Sequence, residues 1–448
     1  MKKYIAAYQS VKEKENILFG SIIDVLTDFH ANGSYESIAK VFALLDTKNY
    51  AYMVRTTDLE KKDYESDVKY ITQDCYNYLS KSQLYGGELL INKIGNPGES
   101  YIMPKLDYPS SLGMNLFMIR IKKDSDYNTK FIWAYLNTNI GRHIINRKIN
   151  GTVPLTIDKE AIRSLYIPVF SKQFMTAIAH IIDKSELILS RSKQVYKNSE
   201  ELIYKALHLD TWEPATETKS IKSYSDCFIN CNRLDAEYYQ PKYDELINLV
   251  KSHQPGYGKL EMLFLIKDRN YIPVDGCLYK YIELSNIGSD GSITGHTEAL
   301  GEDLPNRARR IVRSGDLIVS SLEGSLNSCA IIPEKYDGAI CSTGFYVLTP
   351  KDINVETALV LFKSQLMQAL MTRVCSGSIM AGMNTDEFAN LIVPKIDQHT
   401  QHVIAEIIQD CAQKREESIR LLELAKTAVE IAIEQDEDRA MELLTQNM

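Results

Sequence analysis

The chain of 448 residues contains an internal duplication. Residues 151–168 align without a gap on residues 377–394 at a shift of 226 positions, and residues 87–90 align on residues 315–318 at a shift of 228. A small drift in the shift is what loop insertions produce. The duplication predicts two copies of one structural unit within a single chain.

Each copy changes in character along its length. Short apolar runs broken by Gly, Pro and Asn predict strands, whereas residues 129–147 and 355–374 have the amphipathic periodicity of helices. The predicted strands are residues 51–54, 88–93, 117–121, 316–320 and 344–348. The predicted fold class is therefore α+β, with two tandem mixed α/β domains.

A long segment without Gly or Pro follows Pro168 and Pro394. In both segments apolar residues recur about every seven positions, which predicts a long helix with a coiled-coil seam. The predicted seam residues are Ile181, Ile188, Val195 and Leu202 in the first helix and Ile408, Leu422 and Val429 in the second. The favoured interpretation is an antiparallel helix pair, and the alternative is that each helix packs on its own domain.

These patterns divide the chain into five segments. The segments are residues 1–170 (first domain), 171–209 (first long helix), 210–395 (polar linker and second domain), 396–435 (second long helix) and 436–448 (acidic C-terminal tail).

The net charge of −8 belongs mostly to the C-terminal end. Residues 395–448 carry 6 Lys or Arg and 12 Asp or Glu, so the remainder is near neutral and can hold local basic patches. The 8 cysteines are too scattered for a disulfide framework, and Cys227 with Cys231 lacks a second close pair that would complete a zinc site. The absence of a long apolar run and of a signal-peptide pattern predicts a cytoplasmic protein.

Motifs of catalysis are missing from the sequence. It contains no GxSxG, HExxH or GxxxxGK[ST] motif. It also lacks the cofactor loop and the base-holding Pro-Pro motif that an adenine methyltransferase needs. Asp46, Glu60 and Lys62 loosely resemble a metal-dependent nuclease set, but a hydrophilic turn is the better interpretation. We expect a non-catalytic chain that binds no metal or cofactor of its own.

Basic and small polar residues recur at equivalent places in the two copies. Lys and Arg contacts to phosphate supply affinity for DNA, and side chains that reach base edges supply sequence choice. Candidates before the duplicated strands are Lys81, Arg307, Arg309, Arg310 and Arg313. Candidates around the aligned glycines Gly151 and Gly377 are Arg147, Lys148, Asn150, Thr152, Arg373, Ser376 and Ser378. Candidate base readers at strand ends are Asn92, Lys93, Asn115, Ser320 and Ser321. A solvated loop or a helix cap is the alternative for each. Arg142 and His143 are weaker candidates.

The order of these features resembles the specificity subunits of type I restriction-modification systems. The features are the Gly-Asp-Leu-Ile run at Gly315 and its partner at Gly87, the Ile-Pro and Val-Pro pairs ending at Pro168 and Pro394, the long helix after each, and the RLDAEYY run that starts at Arg233. The resemblance covers roughly residues 51–434. No single motif is specific, but their order, repeated twice, is.

The resemblance implies two target-recognition domains that each read one half of a bipartite double-stranded DNA target. It implies that the paired helices set the gap between the halves and bind two methyltransferase subunits. Those subunits would use S-adenosylmethionine to methylate adenine, and a separate motor-nuclease subunit would cut unmodified phage DNA. Because the copies differ most in their loops, an asymmetric target is expected.

Three other functions stay open from the sequence. The chain could be a coiled-coil scaffold without DNA binding, a specificity partner of another methyltransferase-based defence system, or an enzyme that uses Asp46, Glu60 and Lys62.

Overall fold

The computed structural model divides into two compact units. Unit 1 comprises Met1–Leu189 with Arg415–Met448, and unit 2 comprises Ser190–Lys414. The structure describes residues 9, 11–65, 67–210, 212, 219–229, 233–377 and 381–447. Along those residues we find no helix with the length and apolar character that crossing a lipid bilayer requires.

Both units are built around short strands. The strands of unit 1 are β1 Asn16–Leu18, β2 Ile23–Asp28, β3 Ala51–Val54, β4 Tyr70–Ile71, β5 Gln83–Leu84, β6 Leu89–Asn92, β7 Ser100–Ile102, β8 Ser110–Leu112, β9 Leu116–Ile121 and β10 Tyr166–Pro168. The strands of unit 2 are β11 Tyr257–Lys259, β12 Phe264–Lys267, β13 Leu278–Ile282, β14 Thr297–Leu300, β15 Ala308–Ile311, β16 Leu317–Ser320, β17 Cys329–Ile331, β18 Ile340–Ser342, β19 Phe345–Pro350 and β20 Ile392–Pro394. Each run predicted as a strand contains one.

The strands are connected in the same way in the two units. Unit 1 has the sheets β2-β9-β6-β7 and β4-β3-β8-β5 and the pair β1-β10. Unit 2 repeats them as β12-β19-β16-β17, β14-β13-β18-β15 and β11-β20. The parallel pairing of β3 with β8 recurs between β13 and β18. The duplication in the sequence is therefore a duplication of the fold.

Helices complete each unit. They are α1 Phe19–Ile22, α2 Tyr35–Ala39, α3 Thr56–Lys61, α4 Gln73–Tyr78, α5 Thr129–Leu136, α6 Asn139–Asn146, α7 Lys159–Arg163, α8 Lys172–Ala206, α9 Pro241–Ser252, α10 Leu260–Leu263, α11 Val355–Lys363, α12 Gln365–Val374, α13 Thr385–Ala389, α14 Gln398–Glu434 and α15 Glu437–Asn447. Short 3-10 or π turns are Phe29–Asn32, Ser80–Ser82, Ser225–Ile229, Glu237–Tyr239, Leu284–Asn286, Gly301–Asp303, Glu323–Ser325 and Glu334–Tyr336. The predicted α+β fold class is confirmed.

The duplicated apolar runs form the inner strands β6 and β16. Every residue of these strands is buried. In unit 1, Leu89 and Ile91 belong to one hydrophobic cluster and Leu90 belongs to another. Since neighbouring side chains on a strand point to opposite faces, both faces of β6 must be apolar. This requirement explains why the run is continuous and not alternating.

Each amphipathic segment that was predicted as one helix forms two. Between α5 and α6, Thr138 Oγ1 accepts a hydrogen bond from Gly141 N at 2.9 Å and caps the second helix. Ser364 has the same role between α11 and α12. A Cβ at Gly141 would lie 2.1 Å from Tyr135 O, so the break also requires glycine. The prediction of single helices was wrong because the apolar periodicity continues through a break that cap chemistry sets.

The long helices α8 and α14 are antiparallel within unit 1. Ser171, just before α8, donates its N–H to Glu437, just after α14, at 2.9 Å. Ser185 lies in the middle of α8, and its Oγ is 2.8 Å from Ser418 Oγ. The two helices therefore run in opposite directions.

Unit 2 contains the other half of each long helix, and they are antiparallel there too. Ser192 Oγ donates to Cys411 O at 3.0 Å, and Cys411 Sγ donates to Ser192 O at 3.3 Å. Further along α8, Leu202 lines the same cleft as Thr400 near the start of α14. The predicted antiparallel pairing is therefore found in both units.

Small polar residues form the centre of the helix pairing. Ser185, Ser192 and Ser199 of α8 are spaced by seven and at most 1% exposed. Among the predicted seam residues, Ile181, Ile408 and Val429 are buried, and Ile188, Val195, Leu202 and Leu422 are half-buried. The predicted residues thus flank a serine seam that an apolar pattern does not detect.

The C-terminal segment, predicted as an acidic tail, folds as helix α15. Ala440 and Leu444 of this helix are buried in the main hydrophobic cluster of unit 1. Acidic side chains occupy its first turn, where the N-terminal end of a helix favours negative charge. The prediction relied on the excess of acidic residues and overlooked the amphipathic pattern, in which apolar residues lie four positions apart.

Candidate nucleic-acid interface

The duplicated strand starts are held by a buried carboxylate. In unit 1, Glu88 accepts hydrogen bonds from Gly86 N at 2.8 Å and from Arg120 Nη2 at 3.1 Å. In unit 2, Asp316 accepts from Arg313 N and from Lys267 Nζ, both at 2.8 Å. Gly87 and Gly315, immediately before the carboxylates, have φ of 87° and 82°. The shared Gly-acid pair therefore shapes a turn, and the residues around it differ between units.

The arginine group of unit 2 lies on strand β15 and immediately beside its two ends. Arg309 and Arg310 lie on the strand at a β-bulge, and Arg307 precedes it on the surface. Arg313 is 58% exposed and pairs with Asp337 at 3.2 Å. In Arg310, Nε and Nη1 are buried and have no acceptor among the described residues. The four side chains place a run of cations along one sheet edge.

Unit 1 has a much weaker counterpart at this edge. Lys81 is exposed on the turn Ser80–Ser82, and its N–H donates to Asn32 Oδ1 at 2.9 Å. Its side chain faces solvent, so it stays available to a phosphate. The two units therefore differ in charge at an equivalent position of the frame.

Lys93, one of the strand-end candidates of unit 1, lines a cleft of about 500 Å³. Lys93 Nζ and Lys159 Nζ lie 3.2 and 2.9 Å from the Asp28 carboxylate, and both stand over the Phe117 ring. Burial raises the pKa of Asp28, but the hydrogen bonds and charges of the two lysines outweigh it and lower the pKa overall. The cleft therefore holds two cations and one carboxylate, and Lys93 is partly neutralised.

The two asparagine candidates of unit 1 differ in their exposure to solvent. Asn92 is 3% exposed, and its Oδ1 has no partner in the described structure. Asn115 is exposed in the turn before β9, where its carbonyl accepts from Lys93 N at 2.7 Å. Only Asn115 could therefore reach a base without rearrangement of its surroundings.

Both serine candidates of unit 2 use their hydroxyls inside the fold. Ser320 is fully buried, and its Oγ lies 2.9 Å from Ser325 Oγ. Ser321 Oγ donates to Gly344 O at 3.0 Å. This arrangement favours a structural role for both residues.

A closed loop follows the second helix of each helix pair. In unit 1, the backbones of Asn150 and Thr156 exchange two hydrogen bonds of 2.8 and 2.9 Å. In unit 2, Ser376 and Gly382 exchange two of 2.9 and 3.0 Å. The candidates Arg147, Asn150, Thr152 and Ser376 are exposed, Lys148 is half-buried, and Ser378 lies outside the described residues. The structure thus brings Arg147, Lys148, Asn150 and Thr152 together.

Arg373, the counterpart of Arg147, is engaged differently. Its guanidinium lies 4.0 Å from the centroid of the Tyr238 ring, and its Nε donates to Tyr238 O at 3.1 Å. Arg233 also lies over this ring, at 4.5 Å. Tyr238 is thus in contact with two guanidinium groups, and the structure favours a packing role for Arg373.

Arg233 holds the segment before α9 against the end of α12 and against α13. It donates to Cys375 O at 2.8 Å and pairs with Asp235 at 2.7 Å and Glu387 at 3.2 Å. Hydrogen bonding from Arg233 lowers the pKa of Asp235. This contact explains the RLDAEYY run, whose structural role sequence reasoning missed because the partners are over a hundred residues away.

The weaker helix candidate Arg142 also has internal partners. Its Nη2 donates to Glu99 Oε2 at 2.7 Å, and His143 is half-buried on the same helix. Arg142 thus ties α6 to the turn before β7.

The loose nuclease set is not assembled around a common point. Asp46 pairs with Lys69 at 2.6 Å. For Glu60, burial and the nearby Glu99 raise the pKa, and Tyr101 is its hydrogen-bond partner. The described residues include no group of three His, Cys, Asp or Glu placed to hold a metal ion. Cys231 of the Cys227 pair lies outside them.

The chain thus contains two copies of one α+β frame, each followed by a long helix and each presenting its own polar loops. A family model described as "Type I restriction modification DNA specificity domain" matches residues 266–422, from β12 into α14. Residues 266–422 are therefore similar to this DNA specificity domain, and the predicted resemblance to type I specificity subunits is confirmed.

The solved structures that match this chain include two specificity subunits. The type I S subunit from M. genitalium is 14% identical, with a TM-score of 0.38, and the match covers 96% of this chain and 95% of that one. The HsdS subunit from Thermoanaerobacter tengcongensis is 10% identical, with a TM-score of 0.29 and coverage of 94% and 97%. The comparison with curated proteins gives no match.

Proposed function

We propose that this chain reads a bipartite, asymmetric DNA target, with one half-site for each unit. The observation that supports it best is the repeated frame with unlike loops. The edge that carries Arg307, Arg309 and Arg313 in unit 2 carries Lys81 in unit 1. Since a shared frame with different contact groups reads different bases, the half-sites should differ in sequence.

We further propose that the chain is the non-catalytic member of a complex. Two methyltransferase subunits would dock on it and methylate adenine with S-adenosylmethionine, and a motor-nuclease subunit would cut unmodified DNA. The paired helices α8 and α14 would set the number of unspecified base pairs between the half-sites. Action on cellular and phage DNA would place the complex in the cytoplasm.

Mapping methylated adenines in the genome of cells that express the complete system tests this function. The expected result is one motif with two unlike halves and a spacer of constant length, which disappears when the gene for this chain is deleted. A continuous motif would contradict the bipartite target. Failure of the assembled complex to bind DNA at any salt concentration would favour a scaffold.

A further inference from the structure

The loop of residues 150–156 in unit 1 has an apolar tip that the protein itself does not cover. Val153 is 92% exposed and Leu155 is 44% exposed, whereas Ile157, just after the loop, is 3% exposed. Exposed apolar side chains forgo the free energy that burial would give. The tip is therefore a surface that a binding partner can cover.

This exposure does not come from an open loop. The backbones of Asn150 and Thr156 pair on both sides of the base, and Thr156 also bridges to Ile94 at the end of β6. Gly151 has a φ of +94°, and a Cβ there would lie 2.7 Å from Pro154 O. A tightly closed base holds the tip in one position, which lowers the entropic cost of binding.

Cationic groups lie near the base of the loop. Arg147 and Lys148 follow α6 and lead into the loop, and Lys93 and Lys159, which both pair with Asp28, line the cleft that Thr156 borders. An apolar tip with cations near its base suits a groove of DNA, which combines anionic phosphates with apolar base substituents.

The second unit repeats the pattern in sequence. The positions aligned with Val153 and Pro154 are Ile379 and Met380, which lie outside the described residues. The loop base that is described, from Ser376 to Gly382, has the same paired hydrogen bonds. Apolar residues thus recur at the aligned sequence positions of the second copy, although connecting segments generally favour polar residues.

We propose that Val153 is a specificity-determining residue that packs against the 5-methyl group of a thymine in the major groove. This inference rests on the proposed function. Valine branches at Cβ and is short, so it suits contact with a methyl group better than insertion between stacked bases. Asn150 and Thr152, exposed on the same loop, would contact neighbouring polar base edges.

Binding of the assembled methyltransferase complex to duplexes that carry the mapped motif tests this proposal. Each thymine of the motif is replaced in turn by deoxyuridine, which removes only the methyl group. One substitution should weaken binding by the wild-type complex about three- to fivefold, the size expected for one buried methyl group. Val153→Ala should lose a similar factor on the thymine duplex and become insensitive to that same deoxyuridine. Val153→Ile is the control that should keep the dependence.

The outcomes separate the two proposals. Equal responses of the wild type and Val153→Ala to every deoxyuridine would overturn the role of Val153 alone. Absence of any split motif would overturn the proposed function and this inference with it. Unfolding temperatures of the variants should match the wild type, since the side chain is almost fully exposed.

Discussion

At the scale of single residues, equivalent positions in the two copies can have the same structural role or different surroundings. The buried carboxylates Glu88 and Asp316 hold equivalent turns with backbone N–H donors. Arg373 packs on Tyr238, although its counterpart Arg147 is exposed. Sequence position alone does not separate these roles, because both use the same residue types.

Replacing Arg233 with Met should destabilise unit 2. The side chain is 10% exposed, and its removal leaves the Val374 and Cys375 carbonyls and the Glu387 carboxylate short of a donor. We expect a loss of about 2 kcal/mol in the free energy of unfolding. Urea unfolding followed by circular dichroism measures it. Arg309→Met, at a half-buried side chain with one backbone acceptor, is the control and should change little. Equal effects of the two would contradict the packing role.

The Asp28 cluster predicts a pH dependence of the stability of unit 1. Lys159 and Lys93 lower the pKa of Asp28 below its ordinary value of 3.8. A depressed pKa in the folded state contributes stability above the unfolded value, and this contribution is lost as the pH falls through the folded value. The free energy of unfolding of the wild type should therefore exceed that of Asp28→Asn by a constant amount from pH 7 to about pH 5. The difference between the two free energies should shrink below pH 3.8. Denaturant titrations across this range check it; a difference independent of pH would refute it.

At the scale of elements, the long helices depend on small side chains. The Ser185 and Ser418 hydroxyls lie 2.8 Å apart where the helices meet, and both residues are at most 3% exposed. Serine permits close approach of two backbones, and its hydroxyl is satisfied by a helix carbonyl. The apolar residues predicted as the seam lie beside these serines and widen the packed surface.

Replacing Ser185 with Leu should disrupt the pairing of α8 with α14 in unit 1. Filling a tightly packed site with extra methylene groups typically costs about 1 to 3 kcal/mol. Ser185→Ala should cost less, about 1 kcal/mol for the missing hydrogen bond. Leu187→Ser, at a side chain that is 52% exposed on the same helix, is the control. Thermal unfolding measures the stabilities of the three variants. A stability of Ser185→Leu equal to that of the wild type would contradict close packing.

At the scale of the whole molecule, duplication of the fold allows each half to vary independently. Both units repeat their sheets and their closed loop, while charge differs at the edge with Arg307 and Arg309 in unit 2. Such a molecule can change one half of its target through loop substitutions without redesign of the other half.

Charge removal in one unit should reduce affinity without changing the motif. For Arg147→Gln with Lys148→Gln in unit 1, the slope of log affinity against log salt should fall by about 0.9 for each phosphate that the protein no longer neutralises. Arg307→Gln with Arg309→Gln should act likewise in unit 2, and the two reductions should add. Arg439→Gln, at a residue of α15 that is 67% exposed, is the control. An unchanged slope in both pairs would place the DNA-binding surface elsewhere.

The sequence by itself determined the duplication, the fold class, the inner strands and the long helices. These depend on local patterns. Burial of both faces of a strand requires a continuous apolar run, and burial of one stripe of a helix requires apolar residues at helical spacing. Only the tertiary structure decided which polar residues are available. Ser320 and Arg373 resemble loop contacts in sequence but are engaged inside the fold, and the seam serines resemble surface residues but are buried. The reason is physical: a polar side chain is stable in either place once its hydrogen bonds are satisfied, and the partners that satisfy them come from distant parts of the chain.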